Sequence, residues 1–295
     1  MKILILGSEG FVGRNLVSGL RGTHQVITAD MVEGNHNEDY RQFNIMDYDS
    51  VDRTVKDADV VINLVAHTLV SSFTEVIENA KTNIIGLLNV LEACKKNNIK
   101  KVIFTSASSI IGEPREFRVS EKHDVTPKTA YGITKMASEH YLRLYREMHG
   151  ITYVIFRFFN IYGPHQRNGL IPSLYSRITT NQPVTIFGKG DQVRDYVYIG
   201  DIVPFFEKAV STSAGDNMTF NMGTGKGATI MEVLDHFSKI LKTAPAIDFK
   251  PVRPGEIGNF VADTTLLKSR FGSLPETGIE KGLENTIQWL KNNKI

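Results

Sequence analysis

Short apolar runs alternate with longer stretches of helical character through the first 160 residues of the chain. The runs suit strands that are buried in a sheet, and they cover residues 3–6, 25–30, 59–66, 101–105 and 153–158. Between them, apolar side chains recur at helical spacing in residues 75–97, and residues 131–148 are predicted as the next helix. The alternation predicts an α/β fold, a doubly wound parallel sheet with helices on both faces.

After residue 160 the pattern changes, because glycine and proline divide the chain into shorter pieces. We expect a smaller mixed α/β region there, packed against the carboxyl edge of the sheet, where open α/β sheets bind their ligands. The predicted main domain covers residues 1–160 and is rejoined by residues 192–215. The second region covers mainly 161–295 and is interleaved with the first, and a final helix carries Ile287, Trp289 and Leu290.

Composition narrows the class of protein further. The 295 residues carry a formal net charge of +2 with both signs interspersed, which offers no electrostatic case for a nucleic-acid or anionic membrane partner. Cys94 is the one cysteine, so no intrachain disulfide forms and a reducing compartment is favoured. The first strand begins at residue 3 and no apolar run approaches membrane-spanning length. We expect a cytoplasmic protein.

A glycine-rich turn follows the first predicted strand. Gly7, Gly10 and Gly13 have the spacing G-x-x-G-x-x-G, and Asp30 ends the second strand. A dinucleotide site uses such glycines for a tight turn, for close approach of the backbone to pyrophosphate, and for close packing of helix on strand. The helix that starts near Phe11 directs its N-terminal N–H groups at the pyrophosphate. The strand, the helix and the acid together predict a Rossmann-type nucleotide site rather than a plain turn.

The residues around Asp30 favour NAD over NADP. Asp30 suits the ribose hydroxyls of adenosine, and it is followed by Met31, Val32 and Glu33. A 2′-phosphate would meet two carboxylates there and no arginine.

Tyr131 and Lys135 form a second motif, Y-x-x-x-K, in the predicted helix 131–148. Residues four apart share one face of a helix, so both side chains can address one site. A tyrosine with a pKa near ~10 is a poor base at neutral pH, but a lysine cation and a positively charged nicotinamide ring favour phenolate. Such a phenolate exchanges a proton with a sugar hydroxyl while hydride moves to or from the cofactor.

Nearly the whole chain resembles the extended short-chain dehydrogenase/reductases, which include sugar-nucleotide epimerases and dehydratases, and it is most similar to the UDP-glucose 4-epimerase-like branch. The matching segments are residues 7–13, 63–67, 83–86, 105–112, Tyr131 with Lys135, 157–164, 192–201 and 253–256. The resemblance implies NAD as cofactor, a UDP-hexose substrate and a homodimer formed by two helices of each subunit, roughly residues 75–97 and 131–148. Leu88, Leu91, Tyr141 and Leu144 are candidates for that seam, and each is equally compatible with facing the sheet.

The resemblance also implies which residues bind the cofactor. These are Gly7, Gly10, Phe11, Val12, Gly13, Asp30, Asn44, Ile45, Leu64, Ala66, His67, Asn83, Ser106, Tyr131, Lys135 and Phe158. Asn44 stands where an aspartate usually holds the adenine, and its amide oxygen can still accept from the adenine amino group. His67 is equally compatible with a strand-end histidine of no special role.

For the substrate, the resemblance implies contacts from Ser108, Tyr131, Asn160, Val184, Arg194, Arg253 and Glu256. Asn160 corresponds to the asparagine that binds the diphosphate. Arg194 and Arg253 correspond to two arginines that clamp it, a role that suits a permanent planar cation. Val184 begins the segment that meets the base.

One position departs from the family pattern. The serine or threonine that bonds the reacting hydroxyl lies five residues before the glycine that matches Gly112, and that position is Ala107 here. Ser106 and Ser108 flank it, and we expect Ser108 to act as the third catalytic residue. Dehydratases carry Asp-Glu and decarboxylases a Glu immediately after that position, where this chain has Ser108 and Ser109. Dehydration and decarboxylation are therefore disfavoured.

These observations predict an NAD-dependent epimerase acting at C4 of a nucleotide sugar through a transient 4-keto intermediate, with no metal. Two alternatives stay open. One is a 4-keto sugar-nucleotide reductase or an unusual dehydratase, and the other is a catalytically silent NAD-sensing protein.

Overall fold

A seven-stranded parallel sheet lies at the centre of the computed structural model, which describes residues 1–33, 39–252 and 258–293. The strands are β1 (Lys2–Leu6), β2 (Gln25–Asp30), β3 (Tyr40–Gln42), β4 (Val60–Asn63), β5 (Lys101–Ala107), β6 (Arg118–Val119), β7 (Thr152–Phe158), β8 (Asn160–Tyr162), β9 (Val184–Phe187), β10 (Val193–Arg194), β11 (Tyr196–Tyr198), β12 (Met218–Met222), β13 (Ala228–Thr229), β14 (Ile247–Lys250) and β15 (Val261–Ala262). The α-helices are α1 (Phe11–Leu20), α2 (Tyr48–Val55), α3 (Val76–Ala80), α4 (Gly86–Lys96), α5 (Ala130–His149), α6 (Leu170–Thr179), α7 (Val203–Ser211), α8 (Ile230–Leu241), α9 (Thr265–Phe271) and α10 (Ile279–Asn292).

The central sheet has the strand order β12-β7-β5-β4-β1-β2-β3, and every pair in it is parallel. From β1 the chain winds outward through β2 and β3, and then returns to the other side of β1 at β4. This reversal leaves a crevice at the carboxyl ends of β1 and β4, which is where doubly wound sheets bind ligands. The predicted α/β fold of Rossmann type is confirmed.

The pleat of β1 separates the core into two layers. Ile3 and Ile5 pack on one face with apolar residues of α1, α7 and α9, whereas Leu4 and Leu6 pack on the other with α2, α4 and α5. Alternate side chains of a strand point to opposite faces, so a strand covered on both sides must be apolar throughout. That requirement explains the unbroken apolar run at residues 3–6.

Local signals set the bounds of α5, the longest helix in the described part of the chain. Thr129 caps its first turn by accepting a hydrogen bond from the N–H of Gly132 at 3.0 Å. Gly150 ends it in the left-handed conformation, with φ at 71°. The observed helix is thus one residue longer at each end than the predicted helix over residues 131–148.

The predicted helix over residues 75–97 is interrupted. α3 and α4 are joined by a π-helical segment, Lys81–Ile85, in which the backbone hydrogen bonds skip one residue further along the chain. Periodicity of apolar side chains does not reveal such a segment, because the helix axis continues through it. The segment carries Asn83, one of the predicted site residues.

The chain returns to the central sheet later than the strand pattern suggested. β11, within residues 192–215, pairs with β8 outside the central sheet, while α7 packs on α1. The strand that joins the sheet is β12, beside β7. The two-domain division and its boundaries stay predictions.

The remaining strands form two-stranded pairs at the carboxyl edge: β8 with β11, β9 with β14, β10 with β13 and β6 with β15. A third apolar cluster is built from α6, α8, α10 and β9 together with β8 and β11, whereas β6 and β15 pack in the core layer of Ile3 and Ile5. The predicted C-terminal helix is α10, and its Ile287 and Leu290 belong to the third cluster. None of the described helices combines the length and the apolar character needed to cross a bilayer.

Candidate active site

The turn between β1 and α1 admits no side chains at its key glycines. Gly7 has a φ of 83°, in the left-handed region, and its N–H donates to the Ala29 carbonyl on β2 at 2.8 Å. A Cβ on Gly13 would lie 2.2 Å from the Gly7 carbonyl oxygen and 2.7 Å from the Ser8 Cα. The N-cap of α1 is Gly10, so the first N–H groups of this helix have no side-chain cap. The turn therefore presents the bare N-terminus of α1 at the carboxyl edge of the sheet.

A cavity of about 530 Å³ opens beside this turn. Its lining comprises Gly7, Gly10, Asp30, Met31, Phe43, Asn44, Ile45, Met46, Leu64, Val65, Ala66, His67, Glu75, Glu78 and Thr82. The Asp30 carboxylate accepts hydrogen bonds from the N–H of Glu9 at 3.0 Å and of Met31 at 2.7 Å, which orient it at the end of β2. The amide oxygen of Asn44 accepts a hydrogen bond from the Met46 N–H at 3.0 Å, and its second lone pair can still accept another hydrogen bond.

The charge of this cavity is informative. Among the described residues, its lining contains three carboxylates and neither lysine nor arginine. A phosphate on the adenosine ribose would lie beside Asp30 without a cation to bind it. The lining is compatible with NAD.

A second cavity of about 300 Å³ continues from the first, and the two share Leu64 and Ala66. Its lining comprises Val12, Leu64, Ala66, Leu69, Thr105, Ser106, Ala107, Ser108, Ser109, Tyr131, Lys135, Phe158, Phe159 and Asn160. One groove thus runs from Asp30, past the glycine turn, to the pair Tyr131 and Lys135. A turn with glycines at residues 7, 10 and 13, a bare helix N-terminus and a carboxylate at a strand end all fit a dinucleotide.

Tyr131 and Lys135 occupy the first turns of α5 and face the second cavity. The Lys135 side chain is 1% exposed, and its ammonium donates to the Thr105 carbonyl oxygen at 2.7 Å. It lies 5.6 Å from the centre of the Tyr131 ring and 4.5 Å from that of the Phe104 ring. The predicted pair is brought together at one site.

Burial dominates the acid–base properties of this pair in the protein alone. Desolvation lowers the pKa of Lys135 to about 7, although Glu139 opposes the shift. Desolvation also raises the pKa of Tyr131 to about 12. Removing both groups from water disfavours both charged forms, so the expectation of a phenolate on Tyr131 needs the nicotinamide charge as well as the lysine and stays a prediction.

The three serines near Ala107 differ in orientation. Ser106 is buried and its hydroxyl donates to the Glu139 carboxylate at 2.7 Å, so it points away from the second cavity. Ala107 ends β5, and Ser108 and Ser109 follow in a 3₁₀ turn, Ser108–Ile110, at the cavity wall. The Ser109 hydroxyl is buried without a hydrogen-bond partner in the described part of the protein. Of the two serines flanking Ala107, Ser108 is the one whose hydroxyl is left available.

His67 and Asn83 belong to one buried network. The Asn83 amide oxygen accepts from the His67 N–H at 2.8 Å, and its amide nitrogen donates to the Thr134 hydroxyl on α5 at 3.0 Å. Asn79, four residues earlier, donates to the His67 carbonyl at 2.9 Å. The His67 ring contacts Glu75 at 2.8 Å at the edge of the first cavity. Asn83 therefore acts on the cavity wall through the backbone of His67, and a direct cofactor contact stays a prediction.

The predicted substrate residues lie beyond Tyr131. Asn160 lines the second cavity, and its amide donates to the Asp195 carbonyl at 3.3 Å. Arg194 donates to the Gly258 carbonyl at 3.3 Å. Val184 is 1% exposed and packs in the third apolar cluster, so its side chain is not available to a ligand. Its neighbours Thr185 and Phe187 point to the other side of β9. Arg253 and Glu256 fall outside the described residues.

The other cofactor candidates lie along the groove. Phe11 begins α1 and packs against the core with Val12. Val12 and Phe158 line the second cavity beside Leu64 and Ala66.

Sequence reasoning missed Glu139, which is 2% exposed and forms an ion pair with the buried Arg157 at 2.8 Å. The signal was present, because Glu139 follows Lys135 by four residues on the same helix face. A glutamate in a helix is ordinarily exposed, and the sequence did not show that β7 places an arginine opposite it.

Comparison with known proteins agrees with this site. The family model of the NAD dependent epimerase/dehydratase family matches residues 3–223. The chain belongs to the NAD dependent epimerase/dehydratase family. The predicted resemblance is thereby confirmed, and so is NAD as the cofactor of this family.

Solved structures of epimerases superpose on the whole chain. A UDP-glucose 4-epimerase of Thermotoga maritima with UDP-glucose has a TM-score of 0.93 at 31% identity and covers 100% of both chains. A UDP-N-acetylglucosamine 4-epimerase of Methanobrevibacter ruminantium has a TM-score of 0.90 at 29% identity and covers 99% of this chain and 98% of its own. A UDP-glucuronic acid 4-epimerase of Bacillus cereus with UDP-glucuronic acid and NAD has a TM-score of 0.91 at 29% identity, covering 99% and 100%. These family members share an activity at C4 and differ in the hexose.

Proposed function

We propose that this family member is an NAD-dependent epimerase that inverts C4 of a UDP-hexose, with UDP-glucose and UDP-galactose as the first candidates. The observation that carries the proposal is the position of Tyr131 and Lys135. Both face a cavity that continues into a groove with the features of a dinucleotide site. Similarity to 4-epimerases over the full length of the chain supports the reaction type.

In this proposal Tyr131 removes the proton of the 4-hydroxyl and later returns it to the 4-keto sugar. When bound, NAD supplies the oxidant for C4 and a positive charge beside Tyr131. Lys135 is held by the Thr105 carbonyl and contributes the second positive charge near the phenol. Because burial raises the pKa of Tyr131 to about 12, the phenolate depends on both charges.

Ser108 is proposed as the hydroxyl that orients the reacting oxygen in place of the usual residue at Ala107. It follows Ala107 at the start of the 3₁₀ turn in the cavity wall, and Ser106 is engaged by Glu139. Asn160, Arg194 and Arg253 are proposed to anchor the diphosphate, and Glu256 is proposed as a further substrate-binding residue. An anchor at the diphosphate leaves the hexose free to turn between the two hydride transfers.

The residues that line the second cavity disfavour a dehydratase reaction. Among the described residues, the lining contains no carboxylate, whereas removal of water needs a further acid and base near C5 and C6. A 4-keto reductase would use the same Tyr–Lys pair, and net consumption of NADH would identify it. A silent NAD-binding protein would show neither reaction.

We also propose that the protein is a cytoplasmic homodimer. The outer face of α5 exposes Ile133, Leu144 and Met148, and Ile85 is exposed on the adjacent π-helical segment. Leu91 is buried against the sheet and so does not belong to this face.

The proposal is tested by incubating the purified protein with UDP-galactose, UDP-glucuronic acid or UDP-N-acetylgalactosamine, without added NAD, and following the sugar by proton NMR. Conversion of one of them to its C4 epimer is expected. Replacing Tyr131 by Phe should lower kcat by about 10²- to 10⁴-fold. The matched control, Tyr141→Phe, removes a hydroxyl from the outer face of the same helix and should leave kcat unchanged. If no sugar is converted, or if Tyr131→Phe retains full turnover, the proposed mechanism is wrong.

A further inference from the structure

A carboxylate is buried directly behind the candidate site. Glu139 lies on α5, one turn beyond Lys135, and is 2% exposed. Its oxygens accept hydrogen bonds from the Ser106 hydroxyl at 2.7 Å and from Arg157 at 2.8 and 2.9 Å. Arg143 adds a further bond at 2.9 Å from the edge of the helix. Burial raises the pKa of Glu139, but Arg157, Ser106 and Arg143 together outweigh this effect, so the pKa is lowered and the group stays ionised.

Two hydrogen bonds tie the end of β5 to α5. Lys135 donates to the carbonyl of Thr105, and the next residue, Ser106, donates to Glu139. The bonded positions are consecutive on the strand and four apart on the helix. The two strand residues immediately precede Ala107 and the 3₁₀ turn that begins at Ser108 in the cavity wall. This pair of bonds therefore links the strand end that leads into the cavity wall to the helix that carries Tyr131.

Glu139 is also a charged group one helical turn from Lys135. The ammonium faces the Thr105 carbonyl and the rings of Phe104 and Tyr131, none of which is an anion at neutral pH. From β7, Arg157 is directed at Glu139 and at the Glu121 carbonyl. The Glu121 carboxylate accepts from the N–H of Asn221 on β12, and Arg143 is turned to Glu139. Glu139 is the group whose charge raises the pKa of Lys135 against the effect of burial.

Stability alone is a weak explanation for this arrangement. Removing a carboxylate and a guanidinium from water costs free energy that their attraction often fails to recover, and apolar pairs of similar volume are commonly as stable. Arg157 is 4% exposed, so the cost falls on both partners. The charge of Glu139 is better explained by its effect on the neighbouring residues Ser106 and Lys135.

We propose that Glu139 is a positioning residue, which ties the cavity wall to α5 through Ser106 and places a negative charge one helical turn from Lys135. The proposal rests on the proposed function in one respect, the assignment of Tyr131 and Lys135 as the reacting pair. It assigns a role to a side chain that touches neither substrate nor cofactor.

The test is a pH titration of Lys135 in protein that contains ¹³C-labelled lysine, with the Lys135 signal assigned by its loss in Lys135→Met. Glu139→Gln should lower the titration midpoint by about one to two pH units. The matched control is Arg143→Gln, which removes a positive charge from the same cluster and should not lower the midpoint. An unchanged midpoint in Glu139→Gln would overturn the electrostatic role. Because the titration needs no turnover, its outcome is independent of whether the protein epimerises the sugars tested.

Glu139→Gln leaves Arg157 buried without a counter-ion and could prevent folding. The double variant Glu139→Gln/Arg157→Gln avoids this, since two amides can bond to each other, and its Lys135 midpoint should also be lower than that of the wild type. Ser106→Ala tests the mechanical tie separately. This variant keeps the ion pair between Glu139 and Arg157, so the titration midpoint of Lys135 should stay unchanged. Because the hydrogen bond between Ser106 and Glu139 is lost, kcat should fall about tenfold with KM unchanged. An unchanged kcat in Ser106→Ala would overturn the tie.

Discussion

Lys135 and Tyr131 show how burial sets the properties of single residues in this protein. Burial lowers the pKa of the lysine to about 7 and raises that of the tyrosine to about 12. Sequence spacing correctly placed the two side chains on one helix face. It could not supply the pKa values, because these depend on the strands and rings that exclude water from the site.

The depressed pKa of Lys135 makes the stability of the protein depend on pH. The unfolded chain keeps this lysine protonated up to about pH 10.4, whereas the folded chain releases the proton near neutrality. The lysine therefore destabilises the fold at and below neutral pH, and the penalty disappears as the pH rises toward the unfolded value.

Replacing Lys135 by Met should remove this dependence. The free energy of unfolding of the wild type should rise by about 3 kcal/mol more than that of the variant between neutral pH and pH ~10. Urea unfolding of both proteins at the two pH values measures this difference. The bond to Thr105 is lost at every pH, so it cancels in the comparison. A difference between the two proteins that is the same at both pH values would show that Lys135 is protonated in the folded state throughout.

At the scale of elements, the glycine turn and α5 could be derived from the sequence, and the π-helical segment could not. The spacing of Gly7, Gly10 and Gly13 predicts the turn, and the structure gives Gly7 a positive φ and leaves no room for a Cβ on Gly13. Asn83 gives no comparable signal. Its role comes from contacts with His67 and Thr134, which are distant in the chain.

The glycine turn yields a direct prediction. Gly13→Ala places a Cβ 2.2 Å from the Gly7 carbonyl, so the turn must open and the N-terminus of α1 must shift. We expect NAD binding to weaken by at least about tenfold in isothermal titration of cofactor-free protein. Gly22→Ala is the control, because a Cβ there meets no atom within 4 Å. Equal weakening by both substitutions would mean that the turn does not form the cofactor site.

At the scale of the whole molecule, the parallel sheet followed from alternating patterns, but two of its seven strands, β3 and β12, did not. β12 lies more than fifty residues after β7, and its sequence, Met-Thr-Phe-Asn-Met, has no continuous apolar run. In the fold it pairs with β7 and packs against α9, which follows it in the chain. The likeness to three 4-epimerases with different hexoses also explains why the substrate cannot be derived from the fold.

The exposed face of α5 predicts the assembly. Leu144 is 42% exposed there, and a glutamate at this position would put a charge into an interface between two copies. Leu144→Glu should convert a dimer to a monomer in sedimentation velocity. Phe249→Glu alters an exposed apolar residue on β14 and should leave the dimer intact. A wild-type protein that sediments as a monomer would exclude the proposed assembly.

The central claim is reversible oxidation at C4 within a single site. Its most direct test uses UDP-galactose that carries deuterium at C4, incubated with the protein in the presence of unlabelled NADH. Full retention of deuterium at C4 of the UDP-glucose formed, with no net change in NADH, is the predicted result. Loss of the label, or consumption of NADH, would contradict the account and assign the protein to a reductase reaction instead.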